Sequence, residues 1–244
     1  MVQSVSARAR GRPTAHPIDR LRIRIWFHVV KLRSSLPSAY AIELALDKDR
    51  VRKRNADVAR PRKWDGYERG EVVPADRPGT RNAIEQAEAR FPGTACWFRS
   101  PLWAILRGES LDKQRLTDML RNLDSAITAV LFEAEPRRDD EQPRPQDFCH
   151  ESVTQLEQIG TFDALVAAVL LAALSEQIAA PHLRELSLDL YIRLQAVVRH
   201  LPELGPFYAD LFSAIDVVCK HWVYVSPTER IILAGCRCAT AARR

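Results

Sequence analysis

The sequence predicts an all-α protein, a small basic helical module followed by an antiparallel helical bundle. Three observations carry this reading. Apolar residues recur at three- and four-residue spacing, most clearly at Leu116, Met119, Leu120, Leu123, Ile127, Val130 and Leu131. Proline, glycine and capping residues divide the chain into helix-length pieces. No stretch combines strand alternation with hairpin turns.

Residues 1–18 read as a disordered basic arm. Met1–Pro17 contains Arg8, Arg10 and Arg12 and no acid, and it lacks the apolar centre of a secretory signal. Its composition also suits a mitochondrial transit peptide, and a disordered arm is the simpler reading.

Leu21–Arg33 starts with alternation and continues as a helix with Ile25, Val29 and Leu32 on one face. Pro37 and Ser38 start a second helix, Ala39 to about Lys53, carrying Tyr40, Ile42, Leu44 and Leu46. A very basic stretch follows over residues 50–60. Pro61 opens a short helix that ends at Gly70, and Pro74, Pro78 and Gly79 mark a loop. Thr80 caps a helix over Arg81–Phe91, Pro92-Gly93-Thr94 makes a turn, and Ser100-Pro101 opens a helix that Gly108 stops.

Leu111 to about Glu133 reads as one amphipathic helix. Residues 135–147 hold three prolines and no apolar residue, the composition of a hinge loop. Helices resume over Phe148–Ile159, Phe162–Ala179, His182–Leu201 and Gly205–Tyr224, with Gly160, Pro181 and Pro202 between them. Ser226-Pro227-Thr228-Glu229 is a capping box. The longest apolar run, Phe162–Leu174, is 13 residues and includes Asp163. A membrane span needs about 20 such residues, so this run is a buried helix. The division is thus an arm at 1–18, a basic module at 19–110 and a bundle at 111–244.

Charge is segregated along the chain. Residues 1–110 carry 22 basic and 12 acidic side chains, a net +10, whereas residues 111–244 carry 14 and 19, a net −5. Segregation of this kind speaks to association rather than to fold. It fits nucleic acid or another acidic surface on the first half and a packed interaction domain on the second. The ordinary arginine-rich composition that a high-GC genome gives its proteins is the alternative source of the asymmetry.

Five cysteines (Cys96, Cys149, Cys219, Cys236 and Cys238) form no regular framework. An odd count of this kind fits reduced thiols and a cytoplasmic protein. Cys149-His150, Cys219 with His221, and Cys236 with Cys238 have the right chemistry for a metal, but none has the Cys-x2–4-Cys spacing that aims two sulfurs at one ion. No metal or cofactor is expected. Nucleophile elbows, phosphate-binding glycine loops and zinc-protease motifs are absent, so the expectation is a protein that is not an enzyme. Asp139-Asp140-Glu141 reads as solvated linker rather than a chelating site. His28 reads as a helix residue with a satisfied ring. Trp97, Phe98 and Trp103 offer either a stacking platform for unpaired bases or, as is commoner at a helix junction, core.

Tyr67-Glu68-Arg69-Gly70, followed by Pro74, resembles the end of the recognition helix in the lambda-repressor-like (XRE) helix-turn-helix family, where Tyr/Trp-Glu-x-Gly-x-x-x-Pro is common. The resemblance covers about 25 residues. It implies that Tyr67 packs into a small core, that Gly70 ends a helix in the left-handed conformation, and that Pro74 leads into the next helix. It also puts Arg62, Lys63, Asp65, Gly66 and Arg69 on the exposed side of a recognition helix. The family's Gln-x-x-Leu-Ala second helix has no counterpart here, and a helix cap followed by an unrelated turn is the other reading of the same residues.

Arg50, Arg52, Lys53, Arg54, Arg60, Arg62 and Lys63 lie close together, with Asp57 the acid among them. Such clusters bind phosphates because each neutralised phosphate releases counterions. With Arg69 they form the expected nucleic-acid-binding set. The expected function is binding of nucleic acid, duplex DNA first, by a transcriptional regulator whose residues 111–244 serve homodimerisation or partner docking. The alternative is a helical adaptor or scaffold subunit whose basic module binds an acidic protein.

Overall fold

The computed structural model describes residues 16–48, 51–54, 57–77, 82–133 and 143–219. Helix dominates them, as the sequence predicts. The first part comprises α1 (Pro17–Ser34), α2 (Ala39–Leu46), the strands β1 (Arg52–Arg54) and β2 (Asp57–Ala59), α3 (Lys63–Glu68) and α4 (Ala83–Arg90). Then come α5 (Ala95–Arg99), α6 (Leu102–Leu106), α7 (Lys113–Arg121), α8 (Ser125–Leu131), α9 (His150–Ile159), α10 (Phe162–Gln177), α11 (Pro181–Val198) and α12 (Tyr208–Cys219).

Helix α1 explains the alternation at its start. Successive residues turn by about 100°, so positions two apart point to nearly opposite sides. Leu21, Ile25 and Val29 belong to one core, while Ile23, Trp26, Phe27 and Val30 belong to another. The helix is buried on two faces, and period-two alternation is the trace this leaves in sequence. Leu32, expected on the apolar face, is 40% exposed. The helix starts at Pro17, with the His16 ring accepting from the Ile18 amide. Residues 17 and 18 therefore belong to α1 and not to the arm, while residues 1–15 lie outside the described part.

The smaller core joins α1 to α2, α3, α4 and α5. Trp26 is its centre, stacked on Trp64 at 5.9 Å and edge-on to Tyr67 and Phe98 at 5.7 and 5.6 Å. The larger core is organised by α10. Ala164–Ala172 are all buried, because α11 packs along the helix and α6, α7, α8 and α9 close the other sides. A helix apolar all round requires such cover. Trp97 stacks on Phe162 at 4.3 Å, tying α5 to α10. Trp97, Phe98 and Trp103 are core residues and offer no platform to bases.

Several boundaries differ from the sequence expectation. Helix α2 ends at Leu46 rather than near Lys53. Beyond Leu46 the chain has no apolar stripe to bury, and a helix without tertiary cover is marginal. The basic stretch pairs instead as an antiparallel hairpin with register Arg52↔Ala59, Lys53↔Val58 and Arg54↔Asp57. The helix expected over residues 111–133 is two helices. Asp124 breaks it by capping α8, accepting from the Ala126 amide at 2.8 Å. Asn82, not Thr80, caps α4 through the Ile84 and Glu85 amides. Of the hinge at 135–147, residues 143–147 are described, and they are pinned: Phe132 bridges Pro145, and the Gln146 amide donates to the Leu131 carbonyl at 2.9 Å. The capping box at Ser226 lies outside the described residues.

Candidate nucleic-acid interface

The basic cluster is built around two buried acids. Glu43 and Asp47 sit one helical turn apart at the end of α2, and both are sealed from solvent. Arg60, just after β2, reaches Glu43 at 2.8 Å and Asp65 at 2.6 Å, and its guanidinium lies 5.2 Å from the centre of the Tyr40 ring. Hydrogen bonds to Glu43 above all, and to Asp65, raise the Arg60 pKa above its ordinary value. Lys63 meets Asp47 at 2.7 Å, and the Trp64 indole donates to the same carboxylate at 2.8 Å. The chain thus leaves α2 at Asp47, runs through the hairpin and returns at Arg60, with both ends fastened by charge-assisted bonds.

This divides the expected binding set. Arg60 and Lys63 hold the hairpin base against buried carboxylates. Arg69 pairs with Glu71 at 2.8 Å on the surface. Arg62 is exposed and occupies a left-handed backbone conformation, φ +55°, at the start of α3. Arg52, Lys53 and Arg54 form β1. Arg50 lies outside the described residues. The hairpin brings Arg52, Lys53 and Arg54 next to a strand whose one acid is Asp57.

Sequence reading missed Glu43, Asp47 and Asp65 as partners. The available signal was a pair of acids four residues apart in an otherwise apolar helix, since a charge on a buried face needs a partner.

The residues behind the XRE resemblance sit as follows. Tyr67 is in the smaller core, Gly70 has φ +70°, and Pro74 is buried ahead of α4. The end of α3 packs against α1 closely enough that a Cβ on Gly70 would lie 2.9 Å from the Arg20 carbonyl. Gly66 is also tightly packed: a Cβ there would lie 2.7 Å from a Val72 methyl group, so Val72 would have to shift. The element before α3 is the hairpin, and α2 contacts α3 from across it.

Among the described residues no group of three His, Cys, Asp or Glu side chains could hold a metal. No described helix is long and apolar enough to cross a membrane. The His28 ring contacts the Pro202 carbonyl at 3.1 Å and packs on Phe207. Comparison with protein-family models, curated proteins and solved structures finds no match to this chain.

Proposed function

We propose that this protein binds nucleic acid, duplex DNA first, through the β1–β2 hairpin and the adjoining start of α3. It acts as a cytoplasmic transcriptional regulator, with residues 111–244 serving dimerisation or partner docking. The observation that carries this reading is the fastened hairpin. Arg60–Glu43 and Lys63–Asp47 fix its base, so the ordering cost at the two ends of the segment that carries Arg52, Lys53 and Arg54 is met by the fold rather than at binding. A two-stranded ribbon fits the major groove, and phosphate contacts from such residues supply affinity without reading sequence.

The alternative is a helical adaptor whose basic module binds an acidic protein. It is favoured by the pairing of Arg60, Lys63 and Arg69 with carboxylates, which withdraws three of the eight expected cations from phosphate contact.

The test is anisotropy titration of the full chain with a mixed-sequence duplex across a salt series. The full chain is needed because α1 serves both cores. Affinity should fall steeply with salt, and the Arg52→Gln/Lys53→Gln/Arg54→Gln triple variant should reduce the log–log slope by about 3. Absence of binding at low salt favours the adaptor. An unchanged slope in the triple variant removes the hairpin from the interface.

A further inference from the structure

A cleft of about 500 Å³ lies between α1, α5, α6, α7 and the start of α10. Arg22, Arg99 and Arg107 line it. Their charges are not equally matched. Arg99 is held by Asp76, at 2.8 Å, and by Glu85. Arg22 and Arg107 instead share one acceptor: both approach the same Oδ1 of Asp19, at 4.0 and 3.5 Å. Glu109 is 4.0 Å from Arg107 and also serves Arg115 at 3.8 Å. These distances are at the outer edge of ion pairing.

Arg22 is the more demanding of the two. Its Nε donates to the Phe98 carbonyl at 2.6 Å and its plane covers the Phe98 ring at 3.7 Å. Its nearest carboxylate is the distant, shared one of Asp19, with Asp76 and Glu109 acting from farther off, in a side chain 17% exposed. Burial lowers its pKa, which means that the charge is held at a cost. Asp19 is itself buried and is not part of the cleft wall. Glu109 also lines the cleft, as does a second acid, Asp163. Burial raises the pKa of Asp163 and favours its neutral form, although the Asp124 amide donates to it at 3.0 Å.

We propose that this cleft binds a small phosphate monoester, its phosphate bridging Arg22 and Arg107. Arg22 and Arg107 both line the cleft and stand close enough to reach one oxygen in common, that of Asp19 behind the wall, so a dianion with three terminal oxygens on the cleft side can accept from both at once. Met119, Leu123 and Pro101 form an apolar part of the wall, and the volume is that of a small-molecule site. The ligand therefore carries an organic body, and the apolar wall separates it from free phosphate. The site lies on α1, the helix that serves both cores, and does not depend on the hairpin's binding nucleic acid.

The experiment is calorimetric titration of the full chain at low ionic strength with adenosine 5′-monophosphate, glycerol phosphate and inorganic phosphate. Saturable binding of a monoester is expected, weakened about tenfold or more by Arg22→Gln and by Arg107→Gln. Arg107 is at the rim of the cleft, 42% exposed, so its replacement leaves the fold intact, as circular dichroism will verify. Arg193→Gln, which breaks a surface pair on α11 away from the cleft, should leave binding unchanged. A monoester that binds more tightly than inorganic phosphate supports the organic body, and equal affinity assigns the site to free phosphate. No saturable binding of any probe up to about 10 mM, or full affinity in folded Arg107→Gln, overturns the proposal.

Discussion

The Glu43 carboxylate is wholly buried, and the Arg60 guanidinium, seventeen residues later, bonds to it at 2.8 Å. Between these two residues the chain makes its one excursion into strand among the described residues. The pair therefore sets where the basic hairpin starts from, and its loss should be felt there first. Arg60→Ala leaves a buried carboxylate without its cation and should destabilise the smaller core by about 3 kcal/mol or more. Glu43→Gln, which keeps the shape and removes the charge, should cost less. Urea unfolding followed by Trp fluorescence measures both, and equal effects would contradict an electrostatic origin.

Gly70 separates backbone conformation from packing. Gly70→Ala meets the Arg20 carbonyl at 2.9 Å in addition to the left-handed penalty, whereas a methyl group on Gly93, at φ +81°, would have nothing within 4 Å. Gly93→Ala should cost about 1–2 kcal/mol, and Gly70→Ala distinctly more. Thermal denaturation of the two variants checks the order.

Asp163 predicts a pH dependence. Burial raises its folded-state pKa above the ordinary carboxylate value. Its contribution to stability is therefore greatest below that ordinary value and declines as pH rises through the interval up to the folded pKa. Asp163→Asn retains an acceptor for the Asp124 amide and removes the titration. The variant should gain stability relative to the native chain as pH rises through that interval, and the gain should level off above it. Melting temperatures across a pH series test the sign.

The burial of α10 within a single chain gives a further expectation. Ala168 is 0% exposed, so Ala168→Glu forces a carboxylate into a dry helix interface and should abolish folding, with a cost of about 4 kcal/mol or more. Circular dichroism with light scattering should show an unfolded or aggregated product. A folded protein of unchanged mass would mean that α10 is not central.

Glu88 joins α4 to α5 by accepting from the Gly93, Thr94 and Ala95 amides at 2.9, 2.8 and 2.7 Å. Burial alone would raise its pKa, but these donors together outweigh it and hold the carboxyl below its ordinary range. Its stabilisation is present above the ordinary carboxylate pKa and is lost as pH falls through the folded value. Glu88→Ala should destabilise by about 1–3 kcal/mol at neutral pH and by less in acid, measured by chemical denaturation at both.

The amino-acid sequence by itself determined the helical class and most helix positions. Apolar spacing and local caps are properties of neighbouring residues, so Gly160 ends α9, Thr161 caps α10 and Pro181 opens α11 without help from the rest of the chain. The all-round apolar character of Phe162–Leu174 likewise required a covered helix wherever it lay. Three features were decided by tertiary structure alone. Helix α1 is shared by two cores, which its own residues register only as an ambiguous alternation. The basic stretch became a hairpin because α2 ran out of surface to bury. Arg60 and Lys63 came to meet the buried acids Glu43 and Asp47, and Arg22 and Arg107 came to share Asp19. Ion pairing depends on distances of a few ångströms between residues far apart in the chain. Spacing along the sequence carries no record of those distances until the cores have packed.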